Sequence, residues 1–145
     1  MGGIGLWRWW LVLVSLAVCL FGLVIALAGT GGPMEFFAQR IDSVFWGQSG
    51  PPPGAAAFQR WIYGAWGGTV AGWGLMMAFI AWVPLSRGER WARNAWAASL
   101  ALWFVVDTFY SIYCGVWINA LLNLVLLVAM GLPLVFIWRR VGPAV

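Results

Sequence analysis

The stretch LVLVSLAVCLFGLVIALAG, residues 11–29, decides the fold. It carries no charge, and it is long enough to cross the hydrocarbon core of a bilayer, which takes about 20 apolar residues. In lipid only helices and closed barrels satisfy their own backbone hydrogen bonds. The apolar residues run continuously rather than alternating, which selects a helix. With the tryptophans before it, the segment extends from Trp7 to Gly29.

Three further segments read the same way, so the spans cover about 7–29, 61–84, 91–113 and 116–138. The whole composition agrees. The chain has 145 residues, 63% hydrophobic and 8% charged, with a mean hydropathy of +0.89. A soluble domain carries about a quarter charged residues, so this surface must face lipid. The expectation is one all-α domain, an integral membrane four-helix transmembrane bundle. ALAG at 26–29 resembles a signal cleavage site, but the apolar run exceeds a usual signal core, so the first span is read as retained. LAVC at 16–19 resembles a lipoprotein site, but Val18 is too large for the position before the cysteine, so the expectation stays a retained span.

Four crossings put both termini and the second connection on one side. That side holds Arg8, Arg87, Arg90, Arg93, Arg139 and Arg140; the other holds Arg40 and Arg60. Cytoplasmic loops carry the excess of basic residues. Both ends are therefore expected in the cytoplasm, with the chain in the inner membrane.

The long outer connection begins GGPMEFFAQRIDSVFW, residues 31–46. Pro33 suits a first helical turn and Glu35 the positive end of a helix dipole. Met34, Phe37, Ile41, Val44 and Phe45 recur at helical spacing, with Glu35, Gln39, Arg40, Asp42 and Ser43 opposite. This predicts an amphipathic interfacial helix over about 33–46, lying on the outer membrane surface. GQSGPPPG, residues 47–54, ends it and stiffens the return. In PLSRGERW, residues 84–91, Ser86 and Glu89 have capping-box spacing for the third span. The short connections make spans two, three and four antiparallel neighbours.

The ionisable residues are few. There is no histidine and no lysine, and the acids are Glu35, Asp42, Glu89 and Asp107. This excludes a serine–histidine relay, imidazole ligation of zinc or haem, a lysine Schiff base and a phosphate-loop lysine. Nor is there a basic groove for nucleic acid. Cys19 and Cys114 fall at different depths, which argues against a disulfide, and both read as buried small hydrophobes.

Thirteen tryptophans are distributed along the chain. Trp7, Trp9, Trp10, Trp82, Trp91 and Trp138 lie near inner span ends, and Trp46, Trp61 and Trp117 near outer ones; an aromatic belt accounts for these. Trp66, Trp73 and Trp103 lie deeper. Bundle packing accounts for them most simply; contact with a pigment or other ring is the alternative.

Two constellations stand out. In YGAWGGTVAGWG, residues 63–74, Gly64, Gly68 and Gly72 recur every four residues, with Arg60 one turn earlier. Small residues at this spacing let two helices approach closely, either a neighbouring span or another subunit. The other is Asp107, within the apolar WFVVDTFYS of residues 103–111. Counting away from Gly115, Asp107 is level with Asn123 and Ser111 with Asn119. Asp107 and Ser111 share one helix face, and Asn119 and Asn123 another. At about 1.5 Å per residue, Asp107 sits about 10 Å below the outer helix ends. Thr69 lies at a comparable level, and Arg60 is a candidate counter-ion. A charged carboxylate at the bilayer centre costs about 2.5–3.5 kcal/mol, which amide donors offset in part. The cluster either clips two helices in register or binds a proton or ligand.

The length, the span count and the Gly-Ala, Gly-Gly and GWG pattern of span two resemble small four-helix bacterial membrane proteins of unknown function, the DoxX-like kind. That resemblance implies an accessory role beside a larger membrane complex. Small multidrug transporters are similar in size and span count, but they carry an acid in the first span, where this chain has none. The leading expectation is a non-enzymatic accessory or scaffold subunit, partnered by the bilayer and by other membrane subunits or copies of itself. The alternative is a proton-linked transporter or ligand-binding protein built on Asp107, Asn119 and Asn123. No cofactor is required, though a pigment or quinone held without histidine would fit between tryptophans.

Overall fold

The computed structural model describes the backbone of residues 2–140 and the side chains of residues 5–47 and 49–138. The arginines at 139 and 140, counted above in the charge asymmetry, have side chains outside that range. The helices are α1 (Gly2–Ala28), α2 (Glu35–Trp46), α3 (Pro53–Trp82), α4 (Arg90–Tyr113) and α5 (Trp117–Arg140). Single 3-10 turns occupy Gly32–Met34, Gly47–Ser49 and Leu85–Arg87. Four helices, α1, α3, α4 and α5, are long and apolar enough to cross a membrane.

Helix boundaries follow local chemistry. α3 begins at Pro53, well before the expected Trp61. Proline is pre-set for the first helical position, and the small residues 54–57 continue the helix. The expected capping box does not form. Ser86 Oγ instead donates to Val83 O at 2.6 Å within the 3-10 turn. Glu89 itself becomes the residue before α4, without a side-chain cap. Gly115, at φ 77°, makes the tight turn into α5, a conformation that costs glycine little.

Neighbour order departs from the sequence expectation. α1 packs tightly along α3 and also against α5, and α5 packs against α4, while α3 and α4 barely meet. The closest approach is between α1 and α3. A Cβ added at Gly74 would sit 2.8 Å from Ser15 O and 2.9 Å from Cys19 Cα. One added at Gly67 would sit 2.6 Å from Gly22 O and 2.9 Å from Ala26 Cα. Glycine on both helices is therefore the condition of this crossing. Between α3 and α4, by contrast, stand the indoles of Trp73 and Trp103, with centroids 5.4 Å apart. Bulky rings hold apart two helices that their short connection would otherwise bring together.

Buried residues form two clusters. One, at the end where the chain's terminal helices meet, includes Leu11, Met77, Trp96, Met130 and Ile137. There Trp7 stacks on Phe136 at 4.7 Å, Trp10 Nε1 donates to Ala129 O at 2.9 Å, and Arg93 lies 4.1 Å from the Trp138 ring centre. The other cluster lies under α2 and joins Ile25, Met34 and Tyr63, with Phe21, Phe37, Ile41 and Trp66 packed around them. Gln59 Nε2 donates to Asp42 Oδ1 at 2.6 Å and ties α2 to α3. Of the apolar residues expected along α2, Val44 and Phe45 are exposed.

The rest of the side-chain surface is unusually apolar. Leu13, Leu20, Leu27, Phe79, Leu102, Val105 and Leu121 are all exposed. Both cysteines are free; Cys19 is half-buried, and Cys114 is exposed rather than buried as expected, because it falls in the turn before α5. Most tryptophans at helix ends are exposed, but Trp96 is fully buried. It donates through Nε1 to Met77 O at 3.3 Å and is one of the few links from α4 to α3.

Candidate functional site

Asp107 lies on α4, one turn before Ser111. Across from it α5 presents Asn119 and Asn123, again one turn apart. Asn119 Nδ2 donates to Asp107 Oδ1 at 2.6 Å and Asn123 Nδ2 donates to the same oxygen at 3.0 Å. Ser111 Oγ lies 3.2 Å from Oδ1 and 2.6 Å from the Asp107 carbonyl oxygen. Asn119 Nδ2 also donates to Ser111 Oγ at 2.7 Å, and Asn123 Nδ2 to Thr108 Oγ1 at 3.2 Å. A hydrogen bond contributes about 0.5–1.5 kcal/mol net, and more where one partner is charged. Such a network suffices to hold α4 and α5 in one register. Ser111 and Asn123 are buried.

The network borders a cavity of about 630 Å³. Its walls are α3 on one side, α4 and α5 on the other, with Val18 and Phe21 of α1 behind. It occupies the gap left where α3 and α4 fail to meet, between the two buried clusters. Asp107, Asn119 and Asn123 mark its polar end; Val70, Leu122 and Leu126 typify the rest. Among the described residues, no donor reaches Asp107 Oδ2. A volume of about 300–1,000 Å³ that is mostly apolar with a few convergent polar groups is typical of small-molecule sites.

The other residues singled out from the sequence fall in three places. Trp66, Trp73 and Trp103 all line the cavity. Trp73 Nε1 donates to Ser99 Oγ at 2.8 Å, bridging α3 and α4 across its floor. Thr69 lines it too, but its hydroxyl is spent on Ala65 O of its own helix at 3.0 Å, so it does not join the Asp107 network. Arg60 is exposed, and Asp107 draws its partners from serine and asparagine instead. As a stripe for intramolecular packing, Gly64, Gly68 and Gly72 give way to Gly67, Ala71 and Gly74, whose backbones meet α1. An added Cβ at any of the first three glycines would meet nothing within 4 Å.

Ser99 and Thr108 were not singled out from the sequence. The signal for Ser99 was present: Ser99, Trp103, Asp107 and Ser111 recur every four residues, tracing one face of α4. Thr108 carries no such signal, since it sits one residue off that face.

No family model, no curated protein and no solved structure matches this chain.

Proposed function

We propose that the protein is a non-enzymatic integral membrane protein that binds one lipid-soluble, amphipathic small molecule between α3 and α4. The observation that carries this reading is the cavity of about 630 Å³ with apolar walls and one polar end at Asp107, Asn119 and Asn123. Intramembrane acids mark functional sites by default, because burying them is costly. The exposed apolar surface of the long helices supports lipid as the surrounding solvent. Arg8, Arg87, Arg90 and Arg93 gather at one end of the bundle, and Arg40 and Arg60 at the α2 end. That asymmetry supports cytoplasmic termini and an outer α2. In this placement α2 lies across the outer surface, and the site opens to the outer half of the bilayer.

A saturable probe tests the reading. N-phenyl-1-naphthylamine is titrated into nanodiscs holding the wild-type protein and into nanodiscs holding Thr69→Trp, which plugs one wall of the cavity. We expect a saturable component in the wild type that the plug removes. Simple partition into lipid, identical in both, would refute it.

A second reading, lateral assembly as an accessory subunit or homo-oligomer, draws on a different observation. Gly64, Gly68 and Gly72 leave α3 with an open groove on the side away from both α1 and the cavity. Small residues at this spacing favour close helix contact in lipid.

A further inference from the structure

Hydrogen-bond accounting at the polar end of the cavity restricts what can bind there. This inference rests on the binding reading above and names the chemical class of the ligand.

An asparagine amide has two hydrogens to give. Both Asn119 hydrogens are committed, to Asp107 Oδ1 and Ser111 Oγ. Both Asn123 hydrogens are committed too, to Asp107 Oδ1 and Thr108 Oγ1. The one hydroxyl hydrogen of Ser111 goes to Asp107 itself. The Thr108 hydroxyl keeps one hydrogen, but Thr108 does not line the cavity. What the cavity-lining members of the cluster leave open is acceptor capacity: Oδ2 of Asp107 and the amide oxygens of Asn119 and Asn123. A head group that docks against these oxygens must bring its own hydrogens. A quinone or ester carbonyl has none to bring.

Charge narrows the choice further. Among the described residues no arginine meets Asp107. A carboxylate in an apolar setting is stabilised by an opposite charge that comes with donors. Aromatic faces are also available, since Trp66, Trp73 and Trp103 line the same cavity, and indoles attract cations. A primary ammonium supplies three donors and a positive charge in one group.

We infer that the site takes a lipophilic primary amine, its ammonium against Asp107 and its apolar body among the tryptophans and leucines of the cavity. Tritiated dodecylamine is bound to the protein in nanodiscs and displaced by dodecanol, by methyl dodecanoate and by dodecyltrimethylammonium. In the wild type we expect dodecanol to compete about tenfold to a hundredfold more weakly than unlabelled dodecylamine, the worth of one charge-assisted hydrogen bond. The ester, without donors, competes more weakly again. In Asp107→Asn the advantage of amine over alcohol disappears while dodecanol still displaces. The wild-type series decides by itself should that variant fail to fold. Equal competition by dodecylamine and the ester, or by dodecylamine and the quaternary cation, overturns the inference and leaves the cavity as a binding site. No saturable binding of any member overturns both.

Discussion

Gly67→Ala tests the packing that creates the cavity. The new methyl would lie 2.9 Å from Ala26 Cα and 2.6 Å from Gly22 O. Ordinary carbon contacts sit at about 3.5–4.0 Å, so α1 and α3 must separate by roughly an ångström. The atoms met are backbone, and no side chain can swing aside. Overpacking costs about 1–3 kcal/mol, and a clash of two backbones belongs at the top of that range, about 3 kcal/mol. Gly68→Ala is the control one residue away. Its methyl meets nothing within 4 Å, and alanine is the better helix former by up to about 1 kcal/mol. Unfolding is followed by circular dichroism in mild detergent with added dodecyl sulfate. The expected order is Gly68→Ala at or above wild type, and Gly67→Ala well below. Equal stabilities, or a larger loss in Gly68→Ala, would refute the register of the α1–α3 crossing.

Other perturbations probe separate parts of the molecule. Trp96→Ala removes a fully buried indole and its bond to Met77 O, so the same unfolding assay should show a loss of about 3–5 kcal/mol. Asn123→Leu keeps the size but removes two hydrogen bonds from the Asp107 network; a loss of about 1.5–3 kcal/mol is expected, and an unchanged midpoint would remove the network from the account of α4–α5 register. Gly68→Leu fills the open groove of α3, and should lower the assembled mass in light scattering if that groove holds a partner or a second copy, with no loss of monomer stability. Cys114 is exposed at the turn before α5. On intact cells an impermeant maleimide should label it if α2 faces outward, and labelling after lysis alone would reverse the orientation.

How much of this was readable beforehand depends on the kind of interaction. The four long helices were legible because continuous apolar runs such as residues 11–29 select a helix by length and pattern alone, the form a bilayer would also demand. The Asp107 cluster was legible from counting alone. Gly115 fixes a tight turn, so residues equally distant from it face each other at equal depth, and Asp107 reaches both Asn119 and Asn123. The neighbour order was not legible. Short connections argued for α3 against α4, yet contact there is limited by Trp73 and Trp103, whose size matters only once a third helix competes for α3. α3 also carries two rival small-residue stripes, Gly64–Gly68–Gly72 and Gly67–Ala71–Gly74. Sequence spacing alone gives no reason to choose between them. The choice is made by Gly22, far away in the chain, on the face of α1 that receives the second stripe. The cavity follows from that choice and was equally hidden.

In the proposed function the gap between α3 and α4 holds a small molecule. Native mass spectrometry of the protein released from its own membrane tests this most directly. A one-to-one adduct is expected in the wild type and in Gly68→Leu and is missing from Thr69→Trp. Spectra showing the bare chain, or the same phospholipid adducts, in all three proteins would contradict it.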